Sequence, residues 1–152
     1  MKKCIEPSST VKKEYLNQYQ ESQRALKRIE DTIYELRSFK MYPSAIIDGL
    51  PRSAEHKDLS DYAVKLDQLV ARYYRQRYKR IKIFDEIMQK IEKHQDETER
   101  QLLFERYIKC AKWEDIAEEM GYSLQHIHRL HNKAIENFSW FNGERMNNGI
   151  YN

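Results

Sequence analysis

The chain is short of everything that builds a sheet, a secreted scaffold or a membrane span. Its 152 residues include 4 Gly, 3 Pro and 2 Cys. With so few turn formers, the frequent tight turns of an all-β fold have nothing to be made from. The apolar residues recur at spacings of three and four rather than two, which is the helical period. Cys4 and Cys110 lie far apart in no metal-ligand spacing. No signal peptide or long apolar run precedes or separates them, so a cytoplasmic protein with free thiols and no membrane partner is expected. Paired carboxylates, a nucleophile beside its base and a Gly-rich phosphate loop are all unrecognisable, so neither an enzyme nor a cofactor is expected. The expected class is all-α, in one domain or one small domain with an extension.

What the chain has is charge and helical periodicity. Charged residues make up 34% of it, with a net charge of +3, a balance compatible with nucleic acid that does not demand it. After the helix-start signal Pro7-Ser8-Ser9-Thr10, residues Tyr15, Tyr19, Ser22, Leu26, Ile29, Ile33 and Leu36 step by alternating fours and threes, a coiled-coil-like seam. This predicts a helix over about 10–40. Pro43, Gly49, Pro51 and Ser53 mark 41–57 as a connector, ordered because Ile46, Ile47 and Leu50 are apolar enough to pack. A second helix over about 58–93 carries Tyr62, Leu66, Leu69, Val70, Tyr73, Ile81, Phe84, Met88 and Ile91 on its inner side. At about 1.5 Å per residue such a helix is roughly 50 Å long and needs a partner along its length. The first helix folded back antiparallel is the simplest, which makes 1–94 a long helical hairpin. The same seam serves an intermolecular coiled coil equally well, so a homodimer stays open.

A second region begins where His94-Gln95-Asp96 breaks the pattern. Asp96 followed by Glu99 reads as a capping box, and Leu102, Leu103, Tyr107 and Ile108 give the next helix its core face. From Trp113 to Asn132 the spacing is that of a helix-turn-helix. Ile116, Ala117 and Met120 face inward on a first short helix, Gly121-Tyr122-Ser123 make the turn, and Ile127 and Leu130 face inward on a helix over 124–137. Ala117 is small where the second helix crosses, Gly121 can take a positive φ, and Ser123 can cap the helix after it. Residues 95–141 are therefore expected to form a compact helical domain, with 142–152 a frayed tail. Trp113, Tyr107 and Tyr122 read as structural aromatics. Trp140 and Phe141 read as last core contacts or as an exposed docking patch.

The stretch Glu99 to Phe138 resembles region 4 of bacterial sigma factors. It is still more similar to the phage and prophage proteins built on that module, the ArpU-type late transcription regulators and the sigma-like positive control factors. The shared elements are "RYI" at Arg106 to Ile108, "WEDIAEEMGYS" at Trp113 to Ser123 and "RLHNKAI" at Arg129 to Ile135. A long N-terminal helical pair with a connector like "DGLPRS", Asp48 to Ser53, also resembles the phage group. The resemblance implies a transcription regulator that binds double-stranded DNA, with bacterial RNA polymerase as a further candidate partner. By position it implies base contacts from Leu124, Gln125, His128 and Arg129, and backbone contacts from Lys112, Ser123, His126 and Lys133. Gln bonds adenine bidentately, Arg bonds guanine, and Leu touches a thymine methyl, so the residue types suit base readout. The helix start reads Ser-Leu-Gln-His-Ile-His-Arg where sigma factors are rich in Arg and Glu, which implies a different sequence preference.

Charge opposes this reading locally and supports it elsewhere. Asp96 to Asn137 holds Asp96, Glu97, Glu99, Glu105, Glu114, Asp115, Glu118, Glu119 and Glu136 against Arg100, Arg106, Lys109, Lys112, Arg129 and Lys133, a net −3. Ala71 to Lys82, ARYYRQRYKRIK, holds six bases and no acid. Arg75, Arg77 and Arg80 in it are candidate DNA backbone contacts, or else a solvated face paired with acids of the first helix such as Glu21, Glu30, Asp31 and Glu35. His126, His128 and His131 lack the Cys or carboxylate that zinc spacing would add, so no metal is expected, and their protonation near pH 6 should strengthen DNA binding. Two other classes stay open: a small terminase-like packaging protein, and a protein-interaction module that does not read DNA.

Overall fold

A computed structural model describes residues 7–41 and 53–140, with side chains for 7–38 and 60–140. The expectations about Cys4, Phe141, residues 42–52 of the connector and the tail 142–152 lie outside these residues. Within them every regular element is a helix. They are α1 (Ser9–Met41), α2 (Ser53–Glu92), α3 (Glu97–Leu103), α4 (Trp113–Met120) and α5 (Leu124–Asn137), and α3 runs on into a π-helical turn at Phe104–Ile108. The second helix begins ahead of the expected 58, so part of the expected connector is helical. No helix of the described residues is long and apolar enough to cross a membrane.

By their contacts the residues fall into two compact units, Met1–Gln20 with Lys82–Asn152, and Glu21–Ile81. Both long helices contribute to each. In the first unit, Leu16 and Tyr19 of α1 and Ile87 and Ile91 of α2 join Leu103, Tyr107, Ile108, Ala134, Ile135 and Phe138 in one buried cluster. A second cluster sets Leu102 against Ile116, Ala117 and Ile127, which ties α4 to α3 and α5. Burying a large aliphatic or aromatic side chain is worth about 1.5–3 kcal/mol, so the helices after residue 95 draw part of their stability from the two long ones. Polar contacts follow the same route. Lys12 is buried, and its Nζ donates to the Glu136 carbonyl at 3.1 Å, a cation placed where the last carbonyls of α5 need donors. Trp140 is half-buried and packs edge-on to Tyr15, ring centroids 5.1 Å apart, so it makes a contact at the margin of the core.

The second unit is simpler. Leu26 and Ile29 are its buried apolar residues, and buried Ser22 accepts a hydrogen bond from Gln76 Nε2 at 3.1 Å. Ile33, Tyr34 and Arg37 of α1 share a groove with Val70, Tyr73 and Tyr74 of α2. Leu66, Leu69, Val70 and Tyr73 are half-buried as their spacing predicts, whereas Ile81 is 45% exposed. Ile81 follows Arg80 on a turn of helix whose inward positions go to Ile83 and Phe84 instead.

Candidate nucleic-acid interface

The local sequence builds the turn between α4 and α5 from both sides. Gly121 ends α4 with φ +69°, its N–H reaching back to the Glu118 carbonyl at 3.2 Å, while the Tyr122 N–H reaches the Ala117 carbonyl at 3.0 Å. Left-handed backbone costs an L-residue strain that Gly avoids. Ser123 then caps α5, its hydroxyl accepting from the His126 N–H at 3.2 Å. At the start of α3, Asp96 caps as expected, accepting from the Thr98 and Glu99 N–H groups at 2.9 and 3.1 Å, and those bonds hold its carboxyl below the usual range. The reciprocal half of a capping box is missing. Glu99 turns inward instead, fully buried, where its carboxylate accepts from Lys133 Nζ at 2.9 Å and Asn137 Nδ2 at 3.0 Å, with His94 Nε2 at 3.5 Å.

Ile127, His131, Ala134 and Ile135 form the buried face of α5. All four expected base-contact residues, Leu124, Gln125, His128 and Arg129, are exposed: Leu124 at the start of α5, seven residues before His131 and so in register with the buried face, and Gln125 and Arg129 on its other side. Gln125, Arg129, Asn132 and Glu136 step by fours and threes along the middle of that side, with His128 at one edge and His126 and Lys133 at the other. The Arg129 guanidinium donates to His126 Nδ1 at 3.1 Å, which settles a long side chain on the exposed surface. Lys112 and Ser123 are exposed as well. Lys133 is exposed but already engaged by Glu99, which raises its pKa and offsets its charge.

The three histidines do not act together. His131 is buried, 2.8 Å from the Tyr107 hydroxyl, with Trp113 edge-on at 4.9 Å. Burial, and then the charges of Lys13, Arg106 and His128, push its pKa down to about 4, so it stays neutral near pH 6 and adds no charge. His126 offers Arg129 a lone pair that protonation would remove. Of the expected acid-strengthened set, His128 alone is exposed and without such a role. Among the described residues, no group of three His, Cys, Asp or Glu is placed to hold a metal ion.

Two of the nine local acids are disposed of by burial and pairing. Glu99 is held by Lys133, and Glu105 by Lys109 at 2.6 Å. Glu114, Asp115, Glu118 and Glu119 are all exposed on α4, where Lys109 also approaches Glu119 at 3.8 Å. In the second unit Arg75 and Arg77 are exposed and Arg80 half-buried, and among the described residues none of the three is paired with an acid of α1. Arg72, Arg75 and Lys79 recur at helical spacing as one exposed stripe, flanked by Tyr74 and Tyr78, each 61% exposed. Lys27 is the base that takes up Asp31, at 3.0 Å.

Two contributors near α5 carried no legible signal in the sequence. Lys13 of α1 reaches Asn132 with its Nζ at 3.3 Å from the Oδ1, across 119 residues of chain. Arg106 sits on the π-helical turn, donates to the Ala111 carbonyl at 2.9 Å, and lies over the Trp113 ring at 4.3 Å. The "RYI" run that contains it marks a helix end in the sequence, and the π-helical turn that aims it has no one-dimensional signature. In comparisons with known proteins, no family model, no curated protein and no solved structure matches this chain.

Proposed function

We propose that the chain is a DNA-binding transcription regulator of the phage or prophage type, with a sigma region 4-like helix-turn-helix carried on a long helical hairpin. In this reading α4 supports α5, and α5 lies in the major groove. Gln125 and Arg129 read bases, while Leu124 and His128 supply flanking contacts. One observation carries the reading: α5 is capped by Ser123, turned away from α4 through the left-handed Gly121, and buried along one face while its exposed face holds Gln125 and Arg129. A helix held rigidly by its back, with bidentate-capable side chains at the front, has the geometry for base readout. Bacterial RNA polymerase would be met by another surface.

The four exposed acids of α4 favour a second reading, a protein-interaction module that does not read DNA. Selection of bound fragments from a randomised duplex pool at near-physiological salt separates the two. Regulation predicts an enriched motif that weakens in Gln125→Ala/Arg129→Ala. An absence of enrichment, with binding that vanishes as salt rises, would leave the acidic-face module or nonspecific packaging as the better account.

A further inference from the structure

Beside α5, on its His128 edge, the first unit has a groove of about 290 Å³ whose walls include Lys13, Asn17, Arg106, Trp113, His128 and Asn132, with no carboxylate among its lining residues. That is unusual in a region where acids outnumber bases. The groove is also built rather than incidental. Arg106 is fixed by the Ala111 carbonyl and by the Trp113 ring, which leaves the rest of its guanidinium fork for a further acceptor. Lys13 is steadied by Asn132. His131, at the groove floor, registers the convergence: after burial, its pKa is depressed by Lys13, Arg106 and His128 together.

The width of duplex DNA says what would meet these groups. A helix with its side chains is about 10–12 Å across and the major groove about 12 Å wide, so a helix seated there has a line of phosphates along each edge. On the Lys133 edge the available cation already balances Glu99. On the His128 edge, Lys13 and Arg106 face the groove with no carboxylate in it. We propose that this groove is a phosphate-binding subsite that holds the DNA backbone along the His128 edge of α5, with Lys13 and Arg106 supplying charge and Asn17, His128 and Asn132 further hydrogen-bond donors. The inference rests on the reading of α5 as the base-reading helix, and it brings the first turns of α1 into the DNA interface. Charge-assisted bonds to phosphate are the strong ones, and Arg offers them in a planar fork.

The test measures affinity of the full chain for duplex DNA as a function of salt. Lys13→Gln removes one cation from a half-buried site without removing its hydrogen-bonding capacity, and Asn132→Asp places a carboxylate in the groove at an exposed position. Thermal unfolding by circular dichroism checks that both fold. The expected result for Lys13→Gln is a plot of log affinity against log salt that is less steep by about 0.9, because one phosphate fewer is neutralised. Asn132→Asp should bind more weakly, and the selected motif should be unchanged in Lys13→Gln. Slopes and affinities equal to wild type would overturn the subsite while leaving base readout to stand on its own selection. If wild type binds no duplex at low salt, the base-reading role falls, and inorganic phosphate followed by the NMR signals of His128 and the Trp113 indole decides the rest. Shifts that disappear in Lys13→Gln would retain a phosphate site supplied by free phosphate, and an absence of shifts would overturn it.

Discussion

One buried imidazole gives this protein a stability that depends on pH. His131 is buried against Tyr107 and Trp113, and its pKa falls to about 4 from an ordinary 6.5. The unfolded chain therefore takes up a proton near pH 6.5 that the folded chain does not bind until about pH 4. Stability is full above about pH 6.5 and is lost as pH falls toward about 4, by on the order of 3 kcal/mol in all. Urea unfolding at a series of pH values between neutral and mildly acidic should show this slope, and His131→Gln, which still offers Tyr107 a partner, should flatten it. An unaltered slope in that variant would assign the acid sensitivity to other groups. The sequence places three histidines on one helix, yet their fates diverge because one turn of helix spans core and solvent. Period alone separates buried Ile127 and His131 from exposed Gln125 and Arg129, but it is blind to the Tyr107 hydroxyl that meets His131 from another helix.

At the scale of elements, the helix ends after residue 95 are where sequence and structure agree best, with one exception. Gly121 is where a left-handed residue is needed, and Asp96 and Ser123 cap as their types predict. After the π-helical turn, however, the left-handed position falls on Cys110, at φ +59°. A non-glycine residue there carries roughly 1–2 kcal/mol of backbone strain. Cys110→Gly relieves that strain but frees the unfolded chain and gives up a half-buried thiol that meets the Tyr107 and Ile108 carbonyls at 3.9 and 3.8 Å, so it should stabilise the fold by less than about 1 kcal/mol. Gly121→Ala should cost about 1 kcal/mol, the backbone strain less the freedom that Ala removes from the unfolded chain, since a Cβ built at Gly121 meets nothing within 4 Å. Chemical denaturation of the two variants against wild type checks both signs, and equal midpoints for all three would show that neither end is strained as described. The ends of α4 and α5 were legible because caps are local chemistry. The π-helical turn at Phe104–Ile108 was not, since the widened bonds, Lys109 N–H to the Phe104 carbonyl among them, depend on how Tyr107 and Ile108 are drawn into the core.

For the whole molecule, the long helices were legible from their seams, while the partition of their packing was not. Periodicity marks Tyr19 and Leu26 alike as inward, and only tertiary contact assigns Tyr19 to the cluster with Phe138 and Leu26 to the other unit. Charge adds a prediction at this scale. Arg75, Arg77 and Arg80 are not needed to neutralise α1 acids, so if the second unit tracks phosphates, replacing all three with Ala should flatten the salt dependence of DNA binding by about 0.9 for each phosphate no longer neutralised. An unchanged slope would make the run a solvated surface. The buried Lys12, bonded to the Glu136 carbonyl across 124 residues, ties the start of the first unit to its end. During synthesis the first turns of α1 leave the ribosome long before Ile135 and Phe138, their partners in the core, have been made. For all that interval Leu16 and Tyr19 lack their final neighbours, and the first unit closes only once Phe138 has emerged. Closure of the first unit thus waits on the synthesis of α5, and a chaperone that shields the nascent α1 would raise the yield more than one acting on the folded protein.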